Sequence, residues 1–258
     1  MKIVYVSPRS FTSTELKHTQ DRLAPFVPPG VTVKFLDIKG PPSPPDFKSP
    51  TLVPDCWDLR GSTFSAPLMV ARAEEAEREG YDAVVMCCVW DPGLWAAKAA
   101  VRIPVIGETE TMFRVASLLG DRWGVITGVS VMKSIVQKNI QCYGVADHVL
   151  SLKTIELDPI REFAKKPGEL EARLIERAKE QISEGADIII GDCGAFLPNL
   201  GIEGIKRVKE NLGVPFLEPM TTALGMAQML VNLGLSQSKI AYPLADRDLV
   251  SVDDLEWK

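Results

Sequence analysis

The chain has little of what metal sites and nucleotide sites are made from. It has two histidines, His18 and His148, without ligand spacing, and no Cys-x-x-Cys pair, so a zinc site is poorly supported. It has no glycine-rich nucleotide fingerprint or phosphate loop, and no cofactor is expected. No stretch approaches the roughly 18 apolar residues that a membrane helix requires. The opening MKIVYVSPRS lacks the apolar core and small-residue cleavage site of a secretory signal, so a cytoplasmic protein without membrane contact is expected. There is no basic block and the net charge is −5, which argues against nucleic acid as a partner. The cysteines number five: Cys56, Cys87, Cys88, Cys142 and Cys193. An odd count without a secretory signal argues against a disulfide framework. If cysteine matters here, it matters as a thiol.

What is present is a regular alternation. The 258 residues are 46% hydrophobic and 24% charged, enough for one large α/β unit or two interlocked lobes. Short apolar strands (KIVYVS, VTVKFLDI, YDAVVMCC, IPVIGE, RWGVITG, VLSLKTI, ADIIIGDC, VPFLEP) alternate with helical segments, which predicts βαβ units and parallel sheets. Residues 40–67 break the pattern; their prolines predict a long loop or lid.

The chain also repeats itself. EGYDAVVMCC (79–88) lies over EGADIIIGDC (184–193), matching Glu79, Gly80, Asp82 and Cys88 to Glu184, Gly185, Asp187 and Cys193. KIVYVSPRS (2–10) lies over RWGVITGVS (122–130), placing Ser7 on Thr127 and Ser10 on Ser130. General βαβ rules account for similar helices, but not for a cysteine at the carboxyl end of the same strand in both halves. The expected fold is α/β, with two pseudo-symmetric lobes, each a parallel sheet flanked by helices, and the active site in the cleft between them. In open parallel sheets that cleft lies beyond the carboxyl ends of the strands. The helix after PVIGE and the last helix carry the chain between lobes, giving 1–112 plus 219–258 as one lobe and 113–218 as the other. Apolar helix faces such as MFRVASLL suggest a homo-oligomer.

Cys88 and Cys193 then approach from opposite sides, each just before a helix N-terminus, where N–H groups and the helix dipole favour thiolate. Such a pair suits removal of a proton from one face of a carbon and its return to the other. Cys87 points to the opposite face by strand alternation, and Cys56 and Cys142 are read as bystanders. Backbone N–H groups after each cysteine, around Val89 and Gly194, and the Ser7 and Thr127 side chains are candidate donors to a developing enolate. Gly128 adjoins Thr127, and Arg9 and Ser10 follow Ser7 as candidate substrate contacts, Arg9 for a carboxylate.

At these residues the chain resembles the Asp/Glu/hydantoin racemase superfamily, and within it the hydantoin (allantoin) racemase branch. The resemblance rests on CVWDPGL (Cys88 to Leu94), on PVIGETE with Glu110 in the branch's glutamate position, on RWGVIT, on IIIGDCGAF and on the closing VPFLEPMTTALGMAQMLVNLGLSQSK. It covers about residues 66 to 240. It implies a cofactor-independent racemase or epimerase that uses Cys88 and Cys193 as acid and base on a small molecule, most simply a 5-substituted hydantoin. The chain departs from the branch at SPRS (Ser7 to Ser10), where the branch has Asn-Pro-Asn-Thr, and in the proline-rich segment. Both departures leave the substrate open. The same superfamily contains Asp/Glu racemases, maleate isomerase and arylmalonate decarboxylase. A reading of another class is a two-lobed binding or redox-sensing protein, with Cys87 and Cys88 as an oxidisable pair.

Overall fold

The computed structural model describes residues 1–8, 13–37, 59–159 and 162–244. Its first half runs β1 (Lys2–Ser7), α1 (Ser13–Leu23), β2 (Thr32–Asp37), α2 (Leu59–Arg78), β3 (Ala83–Met86), α3 (Leu94–Ala100) and β4 (Val105–Gly107). Helix α4 (Glu108–Ala116) leads to the second half: β5 (Trp123–Thr127), α5 (Lys133–Cys142), β6 (Val149–Thr154), α6 (Pro167–Ser183), β7 (Ile188–Gly191), α7 (Phe196–Leu212) and β8 (Phe216–Leu217), closed by α8 (Pro219–Asn232). Both sheets are parallel and share one order, β2-β1-β3-β4 and β6-β5-β7-β8. The central strands β1, β3, β5 and β7 are apolar without alternation and buried throughout, apart from Lys2, because helices cover both of their faces.

The sequence repeat is a structural one. In the first half the Asp82 carboxylate accepts from the Lys2 N–H at 2.6 Å, and Asp82 N–H donates to the Lys2 carbonyl. In the second half Asp187 does the same for Arg122, at 2.9 Å. The matched aspartates therefore start the central strand pair in each lobe. At the other end the equivalence also holds. Cys87 N–H donates to Val6 and Cys88 N–H to Met86, while Asp192 N–H donates to Ile126 and Cys193 N–H to Gly191. Cys88 and Cys193 thus occupy one backbone position in two copies of the design, and Cys87 matches Asp192. Strand order reverses between β1 and β3 and between β5 and β7, which is where open parallel sheets form their crevice.

The two halves exchange helices. Helix α4 follows the first sheet, yet it buries Met112, Phe113 and Ala116 with Trp123, Val125, Ile188 and Ile190 of the second. The Phe113 ring stacks on Trp123 at 6.1 Å and meets Tyr143 edge-on at 6.0 Å. Helix α8 follows the second sheet and packs on β3, β4 and α4, and Tyr5 of β1 donates its hydroxyl to the Met220 carbonyl at 2.7 Å. The apolar face of MFRVASLL, read as free for a second copy, is therefore largely used within the chain; Leu118 and Leu119 beyond the helix stay exposed. Among the described residues no helix is long and apolar enough to cross a membrane.

The expected loop over 40–67 requires correction. Residues 59–67 are the first turns of α2, which carries Pro67 inside it; residues 38–58 lie outside the described residues. Gly61, Ser62, Ser65 and Pro67 read as turn signals, but Ser62, Ser65 and Met69 are buried and α2 packs on β1 and β3. Packing there outweighs propensity.

One side chain repairs the second sheet. The β5–β6 register shifts at Trp123/Gly124, and the Gln181 amide of α6 donates to the Val125 and Ser151 carbonyls, both at 3.0 Å, beside that irregularity. A Cβ on Gly124 would lie 2.5 Å from Gln181 Oε1, so the absent side chain makes room for the amide. Gln181→Leu leaves two buried carbonyls without this donor and is expected to destabilise by roughly 1–3 kcal/mol. Thermal denaturation should show a Tm lowered by several degrees, and an unchanged Tm would deny Gln181 this role.

Candidate active site

The carboxyl ends of the four central strands carry Ser7, Cys87–Cys88, Thr127 and Asp192–Cys193. Ser7 and Thr127 are buried, Cys193 is buried, and Cys87 and Cys88 are half-buried. The loops that bear the two predicted cysteines are tied together by one residue of α4. The Thr109 hydroxyl donates to the carbonyl of Val89, next to Cys88, and lies 3.0 Å from Asp192 Oδ1, next to Cys193. Burial pushes the Asp192 carboxyl up to about 8, against the hydrogen bond that the Thr109 hydroxyl donates to it.

Helix α4 is held by the Asp-Pro-Gly turn. Asp91 adopts φ 48°, is buried, and accepts from the N–H groups of Thr109 (3.3 Å) and Glu110 (2.8 Å) and from the Tyr143 hydroxyl (2.6 Å). It therefore caps α4 from outside the helix and links it to α5 of the second half. Burial raises Asp91 to about 6 against the pull of these hydrogen bonds. Glu110 is not in the site: it pairs with the buried Lys98 of α3.

Two more carboxyls sit at the strand ends. Glu218 follows β8 and is fully engaged, accepting from the N–H groups of Met220 (3.2 Å) and Thr221 (2.9 Å) and from the Thr221 hydroxyl (2.9 Å). Glu108 follows β4, is wholly buried, and among the described residues meets no N–H or O–H donor at either oxygen, only the Cys87 thiol. Its Oε2 lies 3.1 Å from where a Cβ on Gly194 would stand, so it reaches from the end of the first sheet to the Cys193–Gly194 turn of the second. Burial first, then the neighbouring Glu218, Asp91 and Asp192, push Glu108 well above the usual carboxylate range, with the Cys87 thiol pulling the other way.

Several expectations change. Cys193 accepts from the Ala195 N–H at the start of α7, but burial outweighs that donor and pushes the thiol up to about 12. At neutral pH Cys193 is a protonated thiol, not the expected thiolate. The Thr127 hydroxyl is engaged in the resting protein, donating to the Asp192 carbonyl at 3.1 Å, so it positions the second loop. Gly128 is buried against Pro159 and Met132. Val89 is buried, and its carbonyl is held by Thr109 and by Asn139 at 3.3 Å. Cys87 packs with the core cluster that includes Cys193, while Cys88 packs with the cluster of Val89, Trp90 and Phe113. Arg9 and Ser10 lie outside the described residues. Glu108, Thr109 and Asp192 were missed from the sequence; the available signal was their place at strand ends, in PVIGETE and IIIGDC.

A two-lobed α/β isomerase is the class these features define, and the comparisons agree. The allantoin racemase from Klebsiella pneumoniae superposes with a TM-score of 0.82 at 21% identity, covering 98% of each chain. A hydantoin racemase of Rhizobium meliloti is 30% identical over 185 residues, 70% of this chain and 74% of that one. A hydantoin racemase of Paenarthrobacter aurescens is 27% identical over 242 residues, 93% of this chain and 94% of that one. The sequence model of the Asp/Glu/hydantoin racemase family matches residues 39–227, and the chain belongs to that family.

The protonation of Asp192 predicts a pH signature. The folded chain keeps a proton that the unfolded chain loses above the ordinary value of 3.8, so stability falls from there up to about 8. Asparagine keeps an acceptor for the Thr109 hydroxyl without ionising. Asp192→Asn is expected to match the parent protein in Tm near about pH 4 and to exceed it by a few degrees near about pH 9. Parallel Tm curves would refute a protonated Asp192. Alkylation by iodoacetamide at about pH 8, read by peptide mass spectrometry, should label exposed Cys142 well before buried Cys193, whose thiol burial pushes up to about 12.

Proposed function

We propose that the protein is a cofactor-independent racemase or epimerase whose substrate is a 5-substituted hydantoin or a related cyclic ureide. The observation that carries this reading is the pairing of Cys88 and Cys193 at one backbone position of two matched lobes, with their loops joined through Thr109. The relatives named as hydantoin racemases support the substrate class.

In this mechanism Cys88, as thiolate, takes the proton from the carbon beside the ring carbonyl. The C–H bond breaks, an S–H bond forms, and the electron pair moves onto the carbonyl oxygen as an enolate. Cys193, which carries its proton in the resting protein, returns one to the opposite face. The opposite enantiomer runs the same steps with the thiols exchanged. The ring carbonyl acidifies the adjacent C–H, so thiols suffice without a cofactor. Backbone N–H groups at Val89 and Gly194 and the Ser7 hydroxyl serve the enolate, and Arg9 and Ser10, next along from Ser7, contact the ring substituent. The lobes divide at 112/113 and 218/219, so the swapped helices α4 and α8 adjust the cleft.

A neutral ring fits the site better than a dicarboxylate. Asp91, Glu108, Asp192 and Glu218 all lie buried at these strand ends. Burial there disfavours charge on all four, and it would disfavour the charge of an aspartate, glutamate or maleate ion in the same way.

Proton NMR in D₂O tests the reading, following loss of the Cα hydrogen from enantiopure 5-substituted hydantoins, allantoin, aspartate and glutamate. Exchange on a hydantoin is expected, with racemisation reduced by about 10²–10⁴-fold in Cys88→Ala and in Cys193→Ala and largely kept in Cys87→Ala. Exchange confined to aspartate or glutamate would replace the substrate class. Loss of activity in Cys87→Ala with retention in Cys88→Ala would move the base to Cys87.

A further inference from the structure

Four carboxyls are buried at the strand ends, and three have donors. Asp91 has three, Glu218 has three, and Asp192 is held through Oδ1 by Thr109. Glu108 alone among them has neither oxygen met by an N–H or O–H, although it is the residue that spans from the first sheet to the Cys193–Gly194 turn. A buried polar group left unsatisfied is unfavourable by about 1–3 kcal/mol, and each such group calls for an explanation. A buried carboxyl at the Cys193–Gly194 turn that meets the Cys87 thiol, but no N–H or O–H donor among the described residues, is explained by a ligand that supplies those partners.

We propose that the Glu108 carboxyl is a catalytic substrate contact, which donates to the ring carbonyl beside the stereocentre and accepts from the ring N–H next to that carbonyl. The inference rests on the hydantoin reading of the site. A carboxylic acid offers one donor and one acceptor about 2 Å apart on a single planar group, which is the complement of adjacent N–H and C=O groups on a five-membered ring. Burial first, then the neighbouring Glu218, Asp91 and Asp192, push the Glu108 carboxyl above its usual range, against the hydrogen bond from the Cys87 thiol. Tyr5, Cys87 and Cys193 complete the surrounding titratable groups. As the base removes the Cα proton, negative charge gathers on the carbonyl oxygen, and the hydrogen bond from Glu108 strengthens at that moment. The carboxyl keeps its proton throughout; the thiols carry the proton that moves. Interactions that strengthen only as charge develops act on kcat rather than on binding alone.

The test compares Glu108→Gln and Glu108→Met with the parent protein, on one 5-substituted hydantoin and its derivative methylated at the ring nitrogen between the two carbonyls. Glutamine keeps one donor and one acceptor without ionising; methionine fills similar space with neither. Expected are a loss of kcat/KM within about 10-fold for Glu108→Gln and of about 10²–10³-fold for Glu108→Met, the size seen when one donor to an oxyanion is removed. Ring methylation should lower kcat/KM in the parent and in Glu108→Gln, and produce little further loss in Glu108→Met. Circular dichroism and Tm report whether Glu108→Met is folded; should it not be, the methylated compound on the parent and on Glu108→Gln decides. Equal kcat/KM in Glu108→Met, or indifference of the parent to ring methylation, overturns the assignment while the hydantoin reading stands. Absence of exchange on every hydantoin by the parent overturns both.

Discussion

A single hydroxyl holds the two halves of the site in register. Thr109 has one proton and two neighbours that need it, the Val89 carbonyl in the first half and the Asp192 carboxyl in the second. Its hydroxyl reaches both, so the loops that bear Cys88 and Cys193 are held by one side chain. Thr109 can do this because α4 leaves the first sheet and packs on the second. That path is set in turn by Asp91, which caps α4 from the Asp-Pro-Gly turn and takes the Tyr143 hydroxyl from α5. The motif that resembles the family's cysteine turn is thus partly a helix cap.

The site that results is crowded with acids on which burial disfavours charge. Burial raises Asp192 to about 8 and Cys193 to about 12, and lifts Glu108 as well. A buried setting of this kind disfavours charge on a ligand as it does on these acids. The neutral ring proposed above, which gains negative charge only during proton transfer, meets that condition.

Much of this architecture was legible from periodicity and repetition. The strands at 2–7, 32–37 and 149–154 agree with their apolar runs to within a residue or two, and the Glu-Gly-x-Asp repeat marks the same hydrogen bonds at the start of both central strands. The beginning of α2 was hidden because glycine, serine and proline signal turns locally, whereas burial of Ser62, Ser65 and Met69 is a property of the sheet they meet. The protonation of Cys193 was hidden for a related reason. A helix N-terminus contributes about 0.3–1 kcal/mol toward an anion, and full burial opposes it by more; local sequence shows the helix but not the burial. Glu108 looked like any acidic residue in a first helical turn, since its partners come from the other half of the chain.

The two lobes match in backbone but not in chemistry, and that difference has a limit set by thermodynamics. Cys88 is half-buried and Cys193 buried, and the position of Cys87 in one half is an aspartate in the other. In the two-thiol mechanism proposed above, the two faces of the substrate therefore meet unequal acids and bases. Enantiomers have equal free energy, so a racemase must have the same kcat/KM in both directions however unequal its two thiols are. The asymmetry can be expressed only as kcat and KM rising or falling together from one enantiomer to the other. In the proposed mechanism the raised Cys193 thiol then does not favour one product; it sets which enantiomer meets the resting protonation state and which must wait for the thiols to exchange their proton.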